Sequence, residues 1–554
     1  MRHAQGPLLT IDVTDRTAET TDIDDLLAEF VGGRGIATKL VHDRVPYDAD
    51  PLGPENRLVF STGPMQYSRM SFTGRMNATS LSPLTDGLAS SNAGGFLSRN
   101  FTGAGYGAVE ITGASDDLLI VHVRDDGVEF EEVPELAGAR VSAVTEYVEE
   151  RHGLGAENVA CVGPAGENRV RFASIMTTES RAFGRGGLGA VLGSKNVKAV
   201  TFDGDSAPPV EMSDVASEIH RDAATSDSIM KRQGTTSVTD LANTLGTFPS
   251  RYFEDVRFDG YEKINGDVVE SKKYKKGTCS ACAFACKLPT RDEASGVETE
   301  GPEFETLMAF GGNVSIMKSN ELCDELGMDT ISCGNAVAAY LAANDEFGNS
   351  ELIHETVEKI ARREDHGDLL AEGIHRFHDE LGVEDWTVKG MSFSAHDGRT
   401  ANGQGFSFAV ANRGADHMYS TFYAWEYPLV SKSEAFPPEG LDGKIPSIVE
   451  QENRRAIEDC GIVCRFSRGE QSVERIEALF DADYEDLLAL GDRVVSLERH
   501  FNNQRGMDRA DDRLPYDLPG FEAALDEYYE VRGWNADGTV SDPDRARSAT
   551  PADD

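Results

Sequence analysis

Three cysteines stand close together in the segment CSACAFACK, with the spacing C-x2-C-x3-C: Cys279, Cys282 and Cys286. A [4Fe–4S] cube needs several thiolates that converge from one tight loop, and its fourth ligand commonly comes from elsewhere in the chain. The small residues between these thiols would let the backbone curl around such a cluster. A zinc site would instead combine one Cys pair with a distant second pair, which the sequence lacks. The spacing therefore predicts an iron–sulfur cluster.

The fourth thiolate has several candidates, and spacing alone does not choose among them. They are Cys161, Cys323, Cys333, Cys460 and Cys464. A cysteine outside the cluster would serve as a small buried hydrophobic residue. Disulfides are not expected, because cytosolic reductants keep thiols reduced.

Two further segments share a layout that could do chemistry. The first, CDELGMD, contains Asp324 and Asp329, and the second, EDCGIVC, contains Asp459 and Cys464 at the same spacing. A carboxylate at a loop-to-helix junction could accept hydrogen bonds from the N–H groups of a fused heterocycle. The alternative is that these carboxylates cap helices or face solvent.

Two Gly-rich segments, residues 71–107 and 181–198, contain isolated Arg, Asn and Ser residues. Backbone amides of such loops approach phosphates closely, and a forked guanidinium group pairs with phosphate at two points. Tight β-turns are an equally good interpretation of either segment alone. Neither segment contains a Walker loop.

The elements that must position these residues follow from the pattern along the chain. Short extended runs such as RLVFSTGP, YGAVEITG, DLLIVHVR and VKAVTFDG predict β-strands in the first part of the chain. The composition shifts at residues 204–214, where a Pro pair precedes a helical pattern. We therefore predict an α+β fold. It comprises a β-rich domain over 1–206, two mainly helical domains over 207–395 and 396–535, and a frayed polar tail over 536–554.

The charge balance restricts the partners and the setting. Asp and Glu total 96 residues against 53 Lys and Arg, for a formal net charge of −43. Such a surface repels nucleic acid and anionic lipid, so we expect neither nucleic acid nor a membrane as a partner. The acidic residues are spread along the chain, which favours a halophilic setting where salt screens their repulsion. No export signal or membrane span is evident, so we expect a cytoplasmic protein.

Taken in order, these segments resemble the aldehyde:ferredoxin oxidoreductase family of tungsten enzymes. The resemblance rests on TGRMNATSLSP, SSNAGG, RAFGRGGLGAVLGSKNVKA, CSACAFAC, EGPEFET, CDELGMDTIS, NRGADH and CRF, and it covers nearly the whole chain. It implies a tungsten ion held between two pterin dithiolenes, with a [4Fe–4S] cube close by. The β-rich domain would then be the pterin-binding domain. Cys279, Cys282, Cys286 and Cys464 match the cluster ligands of the family.

The resemblance also implies which residues contact the pterins. Asp324 and Asp329 match the first pterin motif of the family, and Asp459 with Cys464 matches the second. Ile462 stands where the family has Gly, although a β-branched residue adopts positive φ only at a cost. The other residues that match positions around the pterins and their phosphates are Arg75, Asn92, Gly94, Arg181, Ala182, Gly184, Arg185 and Arg465. A Mg²⁺ ion that bridges the phosphates is expected on the same ground.

Two titratable residues match the catalytic positions of the family: Glu305 in EGPEFET and His417 in NRGADH, with Glu303 as the alternative to the first. Glutamate can act as a general base towards water, and histidine can donate a hydrogen bond to a developing oxyanion. The implied reaction is oxidation of an aldehyde to the carboxylic acid, with ferredoxin as the electron acceptor. Residues 235–260 and 415–445, with the aromatic run TFYAWEYP, are expected to line the substrate pocket.

Other functions and assemblies stay open at this point. One alternative within the superfamily is a reductive catalytic subunit of a larger tungsten complex that acts on an activated aromatic acid. Another is an electron-transfer protein that keeps the cofactors without turnover. The sequence does not distinguish molybdenum from tungsten, it does not specify the aldehyde, and it is compatible with a homodimer.

Overall fold

The computed structural model describes residues 1–208, 212–300, 306, 309–310, 313–427 and 429–543. Its N-terminal part is rich in β-sheet and the remainder is mainly helical, which confirms the predicted α+β class. Within the described ranges, none of the helices combines the length and the apolar composition needed to cross a bilayer.

The N-terminal part contains two six-stranded sheets, with the strand orders β2-β1-β6-β3-β4-β5 and β11-β10-β9-β12-β7-β8. The strands of the first sheet are β1 (Leu8–Asp12), β2 (Thr17–Thr21), β3 (Leu58–Ser61), β4 (Arg75–Leu81), β5 (Leu88–Gly94) and β6 (Ala108–Thr112). Those of the second are β7 (Leu119–Arg124), β8 (Gly127–Glu132), β9 (Val159–Cys161), β10 (Ile175–Thr177), β11 (Arg181–Phe183) and β12 (Val197–Asp203). An apolar core joins the two sheets, with the rings of Phe60 and Phe202 6.0 Å apart between centroids.

Helices connect and cover these sheets. They are α1 (Asp24–Phe30), α2 (Gly33–Arg44), α3 (Leu97–Gly103), α4 (Val141–His152), α5 (Pro164–Glu167) and α6 (Leu188–Ser194). The four extended runs singled out in the sequence form β3, β6, β7 and β12, as predicted from their alternation.

The first Gly-rich segment differs from both interpretations offered for it. Much of it forms the antiparallel pair β4 and β5, in which Arg75 faces Gly94 and Asn77 faces Asn92. These strands carry Ser, Ala, Asn and Thr rather than alternating large apolar residues, so the periodicity that identifies strands is weak. Asn92 and Gly94 therefore lie on the edge strand β5 and Arg75 on the adjacent strand β4, and not on a loop.

The rest of the chain is built from helices. They are α7 (Asp214–Thr225), α8 (Ile229–Gln233), α9 (Thr239–Leu245), α10 (Gly266–Ser271), α11 (Asn313–Leu326), α12 (Thr330–Asn344), α13 (Ser350–Arg362), α14 (His366–Leu370), α15 (Ile374–Leu381), α16 (Asn402–Val410), α17 (Tyr423–Glu426), α18 (Ile445–Cys460), α19 (Val473–Phe480), α20 (Tyr484–Gln504) and α21 (Phe521–Arg532). Two short strand pairs interrupt them: β13 (Pro289–Arg291) with β14 (Glu298–Glu300), and β15 (Thr387–Val388) with β16 (Met391–Ser392).

A buried arginine ties the sheet-rich part to two of these helices. The Arg34 side chain on α2 is fully buried, and its Nε and Nη2 donate to the Glu498 carboxylate on α20 at 2.6 and 2.7 Å. Its Nη1 lies 3.4 Å from Asp459 Oδ2 near the end of α18. Removal of one partner would leave an uncompensated buried charge, so this network holds the end of α18 in place.

The prediction of a frayed tail from residue 536 onwards is wrong for the first residues of that segment. The Gly538 carbonyl accepts a hydrogen bond from Arg499 Nε at 2.7 Å, and Val540 is buried against the same core. A buried arginine needs acceptors, and this carbonyl is one of them. Residues 544–554 lie outside the described residues.

Candidate active site

A cavity lies between the edge of the two sheets and the ends of α11 and α18. It has about 2100 Å³ of empty space, counting the solvent-filled space at its opening. Every predicted site residue that the structure describes lines it, namely Arg75, Asn92, Gly94, Arg181, Ala182, Gly184, Arg185, Cys279, Cys282, Cys286, Asp324, Asp329, His417, Asp459, Cys464 and Arg465. Glu305 and its alternative Glu303 lie outside the described residues.

Four thiols meet at one side of this cavity. Cys279, Cys282 and Cys286 come from one loop, in which Ala281 and Ala285 adopt φ of 55° and 49°. These left-handed residues turn the loop back on itself, and all three of its cysteines line the cavity. All eight cysteines are described, and of the five candidates for the fourth ligand Cys464 lines the cavity while the other four are fully buried elsewhere.

The surroundings of the thiols suit a bound cluster. Two glycines make room for the loop: a side chain at Gly94 would meet Cys279 Sγ at 3.1 Å, and one at Gly74 would meet the Ser280 nitrogen at 2.9 Å. Backbone N–H groups of Phe72, Phe284 and Ala285 point to the Cys282 sulfur. Thiolates that converge from two segments and accept backbone hydrogen bonds are the donors that an iron–sulfur cube requires.

Burial and nearby charges act in opposite directions on the thiols. Burial disfavours the Cys279 thiolate, but the positive charges of Lys287, Arg181 and Arg75 outweigh it and lower the pKa of Cys279. Burial raises the pKa of Cys286 far above its usual value, and the neighbouring thiols add to this effect. A bound cationic cluster would offset this effect, because it stabilises the thiolate form of the cysteines that hold it.

The first acidic motif forms the end of α11 and the start of α12. Asp324 lies in the last turn of α11, where Asn320 Nδ2 donates to its Oδ2 at 3.2 Å. Gly327 then adopts φ of 77° and ends the helix. Asp329 caps α12, because its carboxylate accepts from the Ser332 amide at 3.0 Å. The helix-cap interpretation is correct for Asp329, which nevertheless lines the cavity.

The second motif forms the end of α18. The Asp459 carboxylate accepts from Asn92 Nδ2 at 2.7 Å and from Arg465 Nη2 at 2.9 Å. Arg465 therefore orients this carboxylate as well as lining the cavity. Ile462 adopts φ of 58° although it is β-branched, so the residue that replaces the family's Gly keeps the left-handed backbone.

His417 is 7% exposed, lines the cavity and lies beside Asp416. Its Nδ1 is 3.9 Å from Asp416 Oδ1, and Arg413 Nε binds Asp416 Oδ2 at 2.7 Å. Burial disfavours the Asp416 carboxylate, but the charges of Arg413, His417 and Arg185 lower its pKa well below the usual value.

Sequence reasoning missed several residues that shape this site. Arg413 and Asp416 belong to the NRGADH segment, so their position in that motif was an available signal. His396 stacks on Tyr423 at 3.6 Å between centroids, and no local pattern identifies it. Of the two predicted pocket segments, 415–445 contributes Asp416, His417, Met418 and Tyr423 to the lining, whereas 235–260 contributes Thr235 among its described residues.

Comparisons with known proteins agree with this arrangement. The N-terminal domain of aldehyde ferredoxin oxidoreductase matches residues 8–204, and domains 2 and 3 of the same enzyme match residues 212–546. The tungsten-containing aldehyde ferredoxin oxidoreductase of Pyrococcus furiosus is 31% identical over 97% of each chain. The protein of the same name from Thermococcus kodakarensis is 32% identical, covering 93% of this chain and 94% of its own.

A solved structure has the same fold. The active site complex of benzoyl coenzyme A reductase, bound to 1,5-dienoyl-CoA, has a TM-score of 0.78 and covers 97% of this chain and 96% of its own. Its identity to this chain is 22%, so it supports the fold alone. Since both domain matches are in chain order and together span almost all of it, the chain belongs to the aldehyde ferredoxin oxidoreductase family.

Proposed function

We propose that the chain oxidises an aldehyde to the carboxylic acid and passes the electrons through a [4Fe–4S] cluster to ferredoxin. One observation carries the proposal: four thiols from two segments, two acidic helix ends and His417 all line one cavity. Relatives 31% and 32% identical over nearly the whole chain are named tungsten-containing aldehyde ferredoxin oxidoreductases. That name supports the same reaction here.

The proposed cofactors are tungsten (or molybdenum) held by two pterin dithiolenes, a [4Fe–4S] cluster, and a Mg²⁺ ion at the pterin phosphates. When bound, the pterin-held metal supplies two-electron oxidation and the cluster supplies single-electron transfer. The four cavity thiols would hold the cluster. The carboxylates of Asp324 and Asp459 would accept hydrogen bonds from pterin N–H groups, since each lines the cavity.

Arginines that line the cavity would bind the anionic parts of the cofactor. Arg181 and Arg185 line the cavity, and a guanidinium fork matches phosphate oxygens at two points. Arg75 lies between the two cofactor regions, with Nη1 3.8 Å from Cys464 Sγ. Its positive charge would stabilise an added electron on a neighbouring cluster.

The chain's own residues would act on the aldehyde as acid and base. His417 would donate a hydrogen bond to the carbonyl oxygen as negative charge develops there, and the Asp416 carboxylate lies 3.9 Å from its Nδ1. Glu305, with Glu303 as the alternative, would take a proton from the water that attacks the carbonyl carbon. The products are the carboxylic acid, two electrons and two protons.

An aromatic wall closes the cavity beside His417. Tyr423 lines the cavity and stacks on His396, with ring planes 5° apart. His396 Nδ1 lies 2.7 Å from the Tyr427 hydroxyl, which in turn lies 2.5 Å from Thr247 Oγ1. Because these groups are buried and bonded to one another, the wall would keep a fixed shape and exclude water from the substrate.

The electrons would leave through a basic surface beside the thiol loop. Residues 271–291 contain five lysines, one arginine and no acidic residue, in a chain of net charge −43. Lys275 and Lys276 are exposed in this segment, as is Ala281 in the loop itself. An acidic ferredoxin would be repelled by most of the protein and attracted here, close to the cluster.

The double charge reversal Lys275→Glu and Lys276→Glu tests this surface. It should lower kcat/KM for ferredoxin about tenfold at low salt, with the loss shrinking as salt rises. Turnover with a small viologen acceptor should not change. Lys432→Glu, an exposed lysine outside the basic segment, is the matched control. Equal losses with both acceptors would exclude this docking surface without affecting the aldehyde reaction.

Metal analysis and an aldehyde panel test the reaction itself. Anaerobically purified protein should contain about four iron atoms per chain, as a cube requires, and it should contain tungsten or molybdenum. It should reduce viologen when aldehydes are added. The alternative, a reductive subunit for an activated aromatic acid, predicts no aldehyde turnover by this chain alone. Stoichiometric zinc without iron would contradict both functions.

The salt concentration and the compartment in which the protein works are a separate part of the proposal. We infer a halophilic cytoplasm from the net charge of −43, and a homodimer is compatible with it. Lower salt should expose unscreened repulsion between acidic side chains and destabilise the fold. Thermal unfolding from molar to millimolar KCl measures this effect, and an unchanged midpoint would contradict the halophilic setting while leaving the reaction untouched.

A further inference from the structure

A second group of potential metal ligands lies on the second sheet, away from the cavity. His122 is on β7, Glu131 is on the neighbouring edge strand β8, and His152 is the last residue of α4. One ligand atom from each residue lies within 4.8 Å of the other two. None of the three lines the cavity, so they have no part in the proposed aldehyde chemistry.

The Glu131 carboxylate divides its two oxygens between different partners. Oε2 lies 3.1 Å from His122 Nε2 and 2.8 Å from His152 Nε2. Oε1 lies 3.0 Å from the Tyr147 hydroxyl and 2.7 Å from Arg151 Nε. One oxygen therefore faces both imidazole nitrogens, while the other is held by hydrogen-bond donors.

Outer contacts also fix the buried imidazole. His122 is fully buried, and its Nδ1 lies 2.8 Å from Thr201 Oγ1 on the neighbouring strand β12. A partner on one ring nitrogen orients the ring and directs the other nitrogen to the site, which is the outer-shell arrangement of histidine ligands. Thr201, Tyr147 and Arg151 supply such contacts here.

We propose that His122 Nε2, His152 Nε2 and Glu131 Oε2 bind a zinc ion. Two imidazoles and one carboxylate are borderline ligands that suit zinc, whereas Mg²⁺ and Ca²⁺ prefer oxygen atoms alone. Zinc–ligand bonds of about 2.0–2.2 Å need only small ring movements in a cluster of this size. The fourth position would be taken by water.

The ion would stabilise the edge strand of the second sheet, β8. Among the strands that the structure describes, β8 forms that edge and pairs only with β7, and most of its side chains are partly or fully exposed. The three ligands connect β8, β7 and the last turn of α4. A bound ion would therefore stabilise β8 against local opening, because binding favours the closed arrangement.

Zinc counting on the holoenzyme tests the site. Protein purified anaerobically with its cluster intact is dialysed against micromolar zinc, and bound zinc is measured by mass spectrometry. His152→Gln is the informative variant, since His152 is partly exposed and its replacement should not prevent folding. His375→Gln, which removes a surface histidine paired with Asp385, is the control for adventitious binding.

The parent and His375→Gln should each bind one zinc ion per chain more than His152→Gln. Thr201→Val should weaken zinc binding about tenfold to a hundredfold, as loss of an outer-shell contact does. Hydrogen exchange adds a second measurement: zinc should slow exchange of the β8 amides in the parent and not in His152→Gln. Equal zinc counts in the parent and His152→Gln, or equal slowing in both, would overturn the site and leave a hydrogen-bonded cluster only.

Discussion

Two helix ends border the cavity with the same backbone path and different residues. After α11, which ends at Leu326, Gly327 adopts φ of 77°, and after α18, which ends at Cys460, Ile462 adopts φ of 58°. In each, the next amide bonds to a carbonyl five residues earlier: Met328 to Cys323 at 2.9 Å, and Val463 to Glu458 at 2.8 Å. This is one helix-end motif made twice, once with glycine and once with a β-branched residue. The backbone path therefore does not depend on glycine.

The residue two positions after each turn, Asp329 or Cys464, presents a different side-chain atom to the cavity. Asp329 offers oxygen, caps α12, and lies 3.4 Å from Arg185 Nε. Arg185 also donates to the Ala415 carbonyl at 3.0 Å, two residues before His417. Cys464 offers sulfur and lies 3.8 Å from Arg75 Nη1. We infer that the first helix end supports the catalytic side and the second supports the cluster.

Replacement of the sulfur at the second helix end should have the largest effect. Cys464→Ser removes the proposed fourth thiolate, so iron should fall well below about four atoms per chain and aldehyde oxidation should be lost. Cys460→Ala, four residues earlier and fully buried, is the matched control and should keep its iron. Iron content, visible absorption and turnover are measured together. Full iron and parent turnover in Cys464→Ser would separate this helix end from the cluster.

Changes on the catalytic side should spare the cluster. His417→Ala and Glu305→Gln should keep iron and tungsten but lose about a hundredfold or more in kcat, the effect of removing an oxyanion donor or a general base. His378→Ala, at a surface position, is the control. If His417→Ala instead lowers iron content, the division between the two helix ends is wrong. Parent turnover per tungsten in Glu305→Gln would direct the test to Glu303.

How far the sequence predicts this site depends on the chemistry of each residue. The thiol loop is predictable because three cysteines within eight residues have few structural explanations, and the structure does bring their sulfurs to one cavity. The choice of Cys464 came from family resemblance. In the structure, what distinguishes Cys464 from Cys460 is the turn at Ile462, which directs one thiol to the cavity and leaves the other in the core.

Residues without a local pattern were not predictable. β4 and β5 carry small polar side chains, so hydrophobic alternation does not reveal them. His396 reaches Tyr423 only because the chain returns to the cavity after α15, a contact that no spacing encodes. The helix ends were recognised as motifs, but the cap formed by Asp329 depends on where α12 begins.

A methyl group at the first helix end tests how much space that turn has. A Cβ at Gly327 would lie 2.8 Å from the Gly163 nitrogen, so Gly327→Ala combines an unfavourable φ with a clash against backbone. We expect a loss of at least about 2 kcal/mol. Gly382→Ala, where φ is 67° and a Cβ would have no neighbour within 4 Å, should cost about 1 kcal/mol from φ alone. Denaturant midpoints compare the stabilities of the two variants. Equal losses of stability would show that the contact with Gly163 is not restrictive.

The second helix end allows the most specific test, because strain and packing oppose each other at Ile462. Positive φ costs a residue with a Cβ roughly 1–2 kcal/mol relative to glycine, whereas the buried side chain packs over Gly33 and Gly63. Truncation of a buried isoleucine costs about 2–5 kcal/mol, so Ile462→Gly and Ile462→Ala should both destabilise the protein. Ile462→Gly should nevertheless be at least as stable as Ile462→Ala, since glycine alone relieves the strain. At Ile448, inside α18, the Ala variant should instead be more stable than the Gly variant by about 1 kcal/mol, because glycine is the poorer helix former. The same order at both positions would mean that the turn at Ile462 is not strained.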